Sequence, residues 1–162
     1  MTSSSPTVTA LTATAVVGSA VGGGVFFAFS TFVMKALDDL PPADAIRAMQ
    51  SINRAAPNPA FMGVLFGTGA LCLVLGGSAV TRWDQPGSRY LLAGSVVYLA
   101  GLALTAGYHV PRNDSLALVD PARVDAARAW VGYARGWTPW NHVRTLTSVG
   151  AAVAFTLGYR AG

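Results

Sequence analysis

Residues 15–34 read AVVGSAVGGGVFFAFSTFVM, a run of twenty positions without one charged side chain. A helix rises 1.5 Å per residue, so about 20 apolar residues cross the roughly 30 Å hydrocarbon core of a bilayer. Extended back to Thr9, the run becomes an apolar segment at roughly 9–34. Three more follow at roughly 60–80, 89–110 and 139–159, each uncharged in its central portion. Helices of a water-soluble domain keep a polar stripe towards solvent, and these segments have none. The expected fold class is therefore all-α: an integral membrane four-helix bundle, one transmembrane domain over residues 1–162.

Composition agrees. The chain is 52% hydrophobic and 11% charged, against about 25% charged in ordinary soluble domains, and its mean hydropathy is +0.46. The net charge of +4 is spread along the chain and makes no nucleic-acid footprint. Cys72 is the one cysteine, so no intrachain disulfide can form. The first twenty residues lack the positive region of a signal peptide, and their apolar run continues past any plausible cleavage point; a retained first span is expected. Gly18 with Gly22, Ser19 with Gly23 and Gly63 with Gly67 are small-residue pairs four apart, the spacing that lets helices approach closely in lipid.

The connections are unequal. Residues 81–88, TRWDQPGS, make a short turn around Pro86-Gly87. Residues 41–55 and 120–135 are longer and read as two short amphipathic helices. In the first, Ile46, Met49 and Asn53 share a face with Ile52 beside it, while Arg47, Gln50 and Arg54 point elsewhere. In the second, Asp120 is the expected N-cap and Pro121 the first helical residue. Its apolar face is Ala127, Trp130, Val131 and Ala134, with Arg123, Asp125, Arg128 and Arg135 solvated. Four spans put both long connections on one side. That side carries eight of the eleven Lys and Arg residues, which favours placing it in the cytoplasm of a multi-pass cell-membrane protein.

Polar residues gather at the same end. The first span closes with Ser30, Thr31 and Lys35. The first connection brings Gln50 and Asn53. The third span ends YHVPRND, with Tyr108, His109, Arg112, Asn113 and Asp114. The fourth begins in GWTPWNHVRTLTSVGAAVAF, residues 136–155. There Thr138 is the expected N-cap and Pro139 the first helical residue, leaving free amides that favour an anion. Trp137, Asn141, Arg144 and Ser148 share a face if the helix reaches back to 137, and His142 falls about 100° away with Thr145 and Val149. Each residue taken singly has a simpler role. Trp137, Trp140 and Tyr133 suit an aromatic belt, and Arg144 lies near enough to the helix start to reach the headgroups. Their coincidence at one end argues for a shared site. His109 and His142 have no acidic or cysteine partner at ligand spacing, so no metal site is expected.

The motifs GVFFAFSTFVMKAL, MQSIN, YHVPRNDSLA and WTPWNHVRTLTS, in that order between four spans, resemble the anthrone oxygenase-like family over roughly residues 20–155. Pro111 and Asn113 match the family's pattern at the third span end, where His109 replaces a frequent asparagine; Trp140, Asn141 and Arg144 match the last motif. The resemblance implies oxygenation of an anthrone-like or other phenolic aromatic molecule by O2, with no cofactor. Such chemistry needs a base, donors for an enolate oxygen and a dry aromatic pocket. His109 or His142 is the candidate base, and Asn141 and Arg144 are candidate oxyanion donors. The candidate substrate contacts are Asn53, Asn113, Trp137, Trp140, Tyr108, Met49 and Phe29, with Phe26 and Phe27 as further wall. Expected partners are an apolar aromatic molecule, the lipid bilayer and further copies of the chain, and no nucleic acid. The competing expectation is a non-catalytic bundle that binds a lipid, quinone or partner subunit at the same end. A haem held by both histidines is a third.

Overall fold

Ser5 stands before Pro6, and its hydroxyl accepts from Val8 N at 3.4 Å. A helix begins there because proline's fixed φ suits the first helical position and its missing N–H costs nothing. This helix, α1, runs Pro6–Asp38. The other helices are α2 (Pro42–Ala55), α3 (Pro59–Thr81), α4 (Ser88–Ala117) and α5 (Ala126–Ala161). Asn58 caps α3 by accepting from Phe61 N at 3.0 Å, and Asp125 caps α5 by accepting from Arg128 N at 3.1 Å. The structure is a computed structural model and describes residues 5–122 and 125–162; among these there is no strand.

The four long helices form a ring in which α1 packs on α3 and α5, and α4 packs on the same two. Small residues set the approach. A Cβ at Gly18 would collide with Thr68 on α3, and one at Gly23 would sit 3.3 Å from Ser148 on α5. Gly94 faces the Phe155 ring, and Gly101 faces Thr147. Gly22, Gly63 and Gly67 meet nothing within 4 Å, so the Gly63–Gly67 pair lies on the outer face of α3 and joins no helices within this chain.

Polarity is reversed relative to a soluble protein. Thr12, Ser19, Thr68, Ser95, Asn141, Arg144 and Ser148 are buried, whereas Val17, Phe32, Phe66, Leu73, Val96 and Leu146 are exposed. Hydrocarbon is the solvent that rewards this arrangement. Helices α1, α3 and α4 are long and apolar enough to cross a membrane by length and composition. The protein is an all-helical membrane protein. Helix α5 has 36 residues, ample length, but one face carries the polar side chains of the interior.

Helix α2 lies across one end. Ala45, Ile46 and Met49 pack with Met34, Leu37, Leu116, Trp130, Tyr133 and Trp137. A second core of Cys72, Leu75, Tyr98, Ala151 and Phe155 fills the rest of the bundle. Gln50 does not point to solvent: its Nε2 donates to Leu116 O and Val119 O, both at 2.9 Å, and fastens α2 to the end of α4.

Three helix boundaries differ from expectation: α4, expected to end near residue 110, runs on through Pro111 to Ala117, and the other two concern α5. Asp120 accepts from Ala122 N at 3.0 Å and shapes a turn, so Asp125 takes the capping role and the helix starts at Ala126. The amphipathic stretch is thus the first part of α5. Its buried face is Trp130, Tyr133 and Trp137, while Val131 is exposed; aromatic side chains with polar tips win the interior. The reading of Arg123 lies outside the described residues. Helix α5 also continues through Pro139, because the aromatic face before it is buried and outweighs one lost backbone bond. Thr138 is therefore no N-cap, and the amides expected to hold an anion at 139–142 lie inside a helix.

Candidate functional site

Proline also shapes α4. Pro111 has no N–H, and its ring crowds the carbonyl four residues back. Just before it, Thr105–His109 widen into a π-helical turn in which Val110 N donates to Thr105 O. A second π-helical turn, Phe29–Val33, lies in α1 at the same end of the bundle. Such turns re-aim side chains and recur at functional sites. Here they carry His109 and Ser30 to the interior.

Asn141 is fully buried. Its Nδ2 donates to Phe26 O and to Ser30 Oγ, each at 2.8 Å. Its Oδ1 accepts from Arg144 Nη2 at 2.7 Å. Ser30 Oγ and Thr145 Oγ1 are 3.1 Å apart, closing the network. The Arg144 guanidinium, 6% exposed, lies over the Phe26 ring at 4.3 Å and the Trp137 ring at 5.3 Å. It has no carboxylate: the sole ion pair among the described residues is Arg47–Asp44 at 2.8 Å, elsewhere on α2.

Trp137 is the hub. Its ring stands edge-to-face with His109 at 5.2 Å and packs on Phe29 at 5.5 Å. Its Nε1 donates to Asn113 Oδ1 at 3.0 Å, and the Tyr133 phenol donates to the same oxygen at 2.8 Å. Tyr133 precedes the apolar part of α5. Burial pushes its phenol up from the ordinary pKa, with the neighbouring Asn53 amide and the charges of Arg144 and Arg112 pulling the other way. Tyr133 stays a neutral donor.

Four buried polar atoms in this region make no hydrogen bond of good geometry: both ring nitrogens of His109, near the Trp137 and Leu104 backbone, Asn53 Nδ2, near the Tyr133 phenol, and Arg144 Nε. Buried polar atoms are almost always paired. A cluster of donors and one potential acceptor left open, around a cation without a counter-ion, is chemically suited to a ligand that brings oxygen atoms and negative charge.

Of the expected residues, His109, Asn141, Arg144, Asn53, Asn113, Trp137, Met49 and Phe29 come together here. Asn113 is bonded to Tyr133 and Trp137 and so orients the walls. Tyr108 donates to Gly136 O at 3.1 Å, one residue beyond the carbonyl that Pro139 leaves without its helical donor. Trp140 packs on Tyr108 at 5.5 Å but is 45% exposed. His142 and Phe27 point outwards, away from this cluster; the two histidines do not face each other, and no group of three His, Cys, Asp or Glu side chains suited to a metal occurs among the described residues. Tyr133 was readable only as a belt residue, although it stands four before Trp137 on the face that continues to Asn141 and Arg144. The bond from Trp130 Nε1 to Asp38 Oδ1, 2.6 Å, left no signal in the sequence because its partners are far apart in the chain.

A family model described as anthrone oxygenase matches residues 60–154, more than half of the chain. The chain belongs to the anthrone oxygenase family. The match spans α3, α4 and most of α5, and so contains His109, Asn113, Trp137, Asn141 and Arg144. No match is found among curated proteins or among solved structures.

Proposed function

We propose that this family member is a multi-pass protein of the cell membrane, with α5 as a fourth span, that oxygenates an anthrone-like or other phenolic aromatic molecule with O2 and no cofactor. The observation that carries the reading is the set of buried atoms on His109 and Arg144, around Trp137, that make no hydrogen bond of good geometry, in a chain of the anthrone oxygenase family.

His109, rather than exposed His142, acts as the base. A buried imidazole with an open nitrogen takes a proton from the acidic CH2 of the substrate. The charge moves onto the ring oxygen, where Arg144, oriented by Asn141, stabilises it. The electron-rich carbon reduces O2 and forms a C–O bond, and the protonated His109 returns its proton to give a hydroperoxide. Loss of water converts that carbon to a carbonyl. One substrate and one O2 give one quinone and one water, so no outside reductant is needed. Phe29, Trp137 and Met49 keep the site dry.

The test is oxygen uptake by the purified protein in detergent with an anthrone-type substrate. Replacing His109, Asn141 or Arg144 singly is expected to lower it. Full activity in all three variants, or no uptake by the wild type together with a co-purified apolar ligand, overturns the reading in favour of a binding bundle.

A further inference from the structure

An open groove of about 480 Å³ runs between the end of α4 and the start of α5. Ligand sites of small molecules occupy about 300–1,000 Å³. Its polar wall is Tyr108, Arg112 and Tyr133, and its apolar wall includes Leu116, Val119 and Ala129. Tyr133 is shared with the buried cluster, since its phenol donates to the Asn113 oxygen that also holds Trp137. The groove therefore abuts the site proposed above through one side chain.

Arg112 is held in place. Its Nε donates to Tyr133 O at 3.2 Å and its Nη2 to Gly132 O. Its guanidinium lies 5.7 Å from the Tyr108 ring centre and 6.0 Å from that of Tyr133. Gly136 makes room for it, because a Cβ there would collide with the guanidinium. Among the described lining residues Arg112 is the one charged group, and no carboxylate faces it. A cation fixed between two phenol rings, opposite an apolar wall, is complementary to a planar aromatic ring bearing an anionic oxygen.

We propose that this groove is the docking subsite for the aromatic substrate, with Arg112 binding its anionic or hydroxyl oxygen before the ring passes Tyr133 towards Trp137; the identity of the occupant rests on the proposed function. Binding first at Arg112 and reacting at His109 and Arg144 separates capture from chemistry.

The experiment uses the full chain in lipid nanodiscs and two unreactive probes, naphthoate and naphthalene. Wild type is expected to bind naphthoate about tenfold more tightly than naphthalene, the margin of one charge-assisted contact. Arg112→Gln and Gly136→Ala are each expected to erase that margin and leave naphthalene binding unchanged; alanine at Gly136 favours the helix, so folding is retained. With an anthrone-type substrate, Arg112→Gln should raise KM more than it lowers kcat. An unchanged margin in Arg112→Gln, or a margin lost in Arg144→Gln instead, overturns the proposal. So does displacement of naphthoate when phosphatidylglycerol is added to phosphatidylcholine discs, which would make the groove a lipid seat. If naphthoate binds through Arg112 and no anthrone or phenol is oxygenated, the proposed function fails and the anion subsite stands. Turnover with KM and probe binding indifferent to Arg112 overturns the subsite and leaves the proposed function standing.

Discussion

Replacing Asn141 by alanine removes three hydrogen bonds at a fully buried position. Two are neutral bonds from α5 to α1, to Phe26 O and Ser30 Oγ. Interhelical bonds of that kind average about 0.6 kcal/mol in membrane proteins, because the alternative states also find partners. The third is to the Arg144 guanidinium, and bonds to charged groups are worth about 1.5–3 kcal/mol. The expected loss for Asn141→Ala is therefore about 3–4 kcal/mol, dominated by the cation left with fewer acceptors. Unfolding in mixed micelles titrated with dodecyl sulfate, followed by far-UV circular dichroism, measures it. Thr14→Ala is the control: that exposed hydroxyl bonds only Ala10 O in its own helix, and no change is expected. Asn141→Asp divides the sum, since it keeps an acceptor for Arg144 but has no proton for Phe26 O. It should lose less than the alanine variant. A loss below about 1 kcal/mol in Asn141→Ala would refute the idea that this amide both ties α5 to α1 through its Nδ2 and holds the Arg144 cation through its Oδ1.

The remaining predictions concern the same interior. Oxygen uptake should fall by about 10²–10⁴ in His109→Gln, the range for losing a general base, and stay unchanged in His142→Gln. Arg144→Met should abolish uptake yet leave the unfolding midpoint equal or higher, since exchanging a buried ion for an apolar group of similar length is often neutral or stabilising; a large destabilisation would make Arg144 a structural residue. Gly18→Leu, forced against Thr68, should cost about 1–3 kcal/mol in the micelle titration. Gly63→Leu, with nothing within 4 Å, should cost none, and equal losses would contradict this packing of α1 and α3.

The bundle was legible because its signal is local. Each apolar run declares a helix, and the order of runs and turns gives the end at which the polar motifs meet. The face Trp137, Asn141, Arg144 and Ser148 followed from spacing alone and is buried throughout. Helix limits at Pro111 and Pro139 were not legible. Proline marks a probable boundary, and only the tertiary setting overrides it: Trp130, Tyr133 and Trp137 are buried against α2 and α1, so the helix before Pro139 persists. The glycine pair at 63 and 67 fits the packing pattern but faces outwards, because spacing identifies a smooth helix face without saying what lies on it. His142 and His109 looked equivalent in the sequence. One π-helical turn before Pro111 and a 100° step round α5 put them in different solvents.

The two interior prolines have a joint consequence. Pro111 follows the widened turn of α4, and the turn of α5 before Pro139 receives side chains from that part of α4. Tyr108, on the widened turn of α4, donates to Gly136 O beside the opening made by Pro139, and Arg112, one residue after Pro111, reaches Tyr133 O on the same stretch of α5. The bond set couples α4 to α5 next to Trp137, whose neighbours are His109 and Arg144. The carbonyls that receive these bonds, Gly132 O, Tyr133 O and Gly136 O, lie in the turn before Pro139, and their donors, Tyr108 and Arg112, are also the walls of the groove. A change that removes the π-helical turn of α4 would therefore re-aim Tyr108 and His109 and disturb the contacts around Trp137. The widened turn of α4 and the polar site are in this sense one arrangement, built from the two short motifs at 108–114 and 137–144.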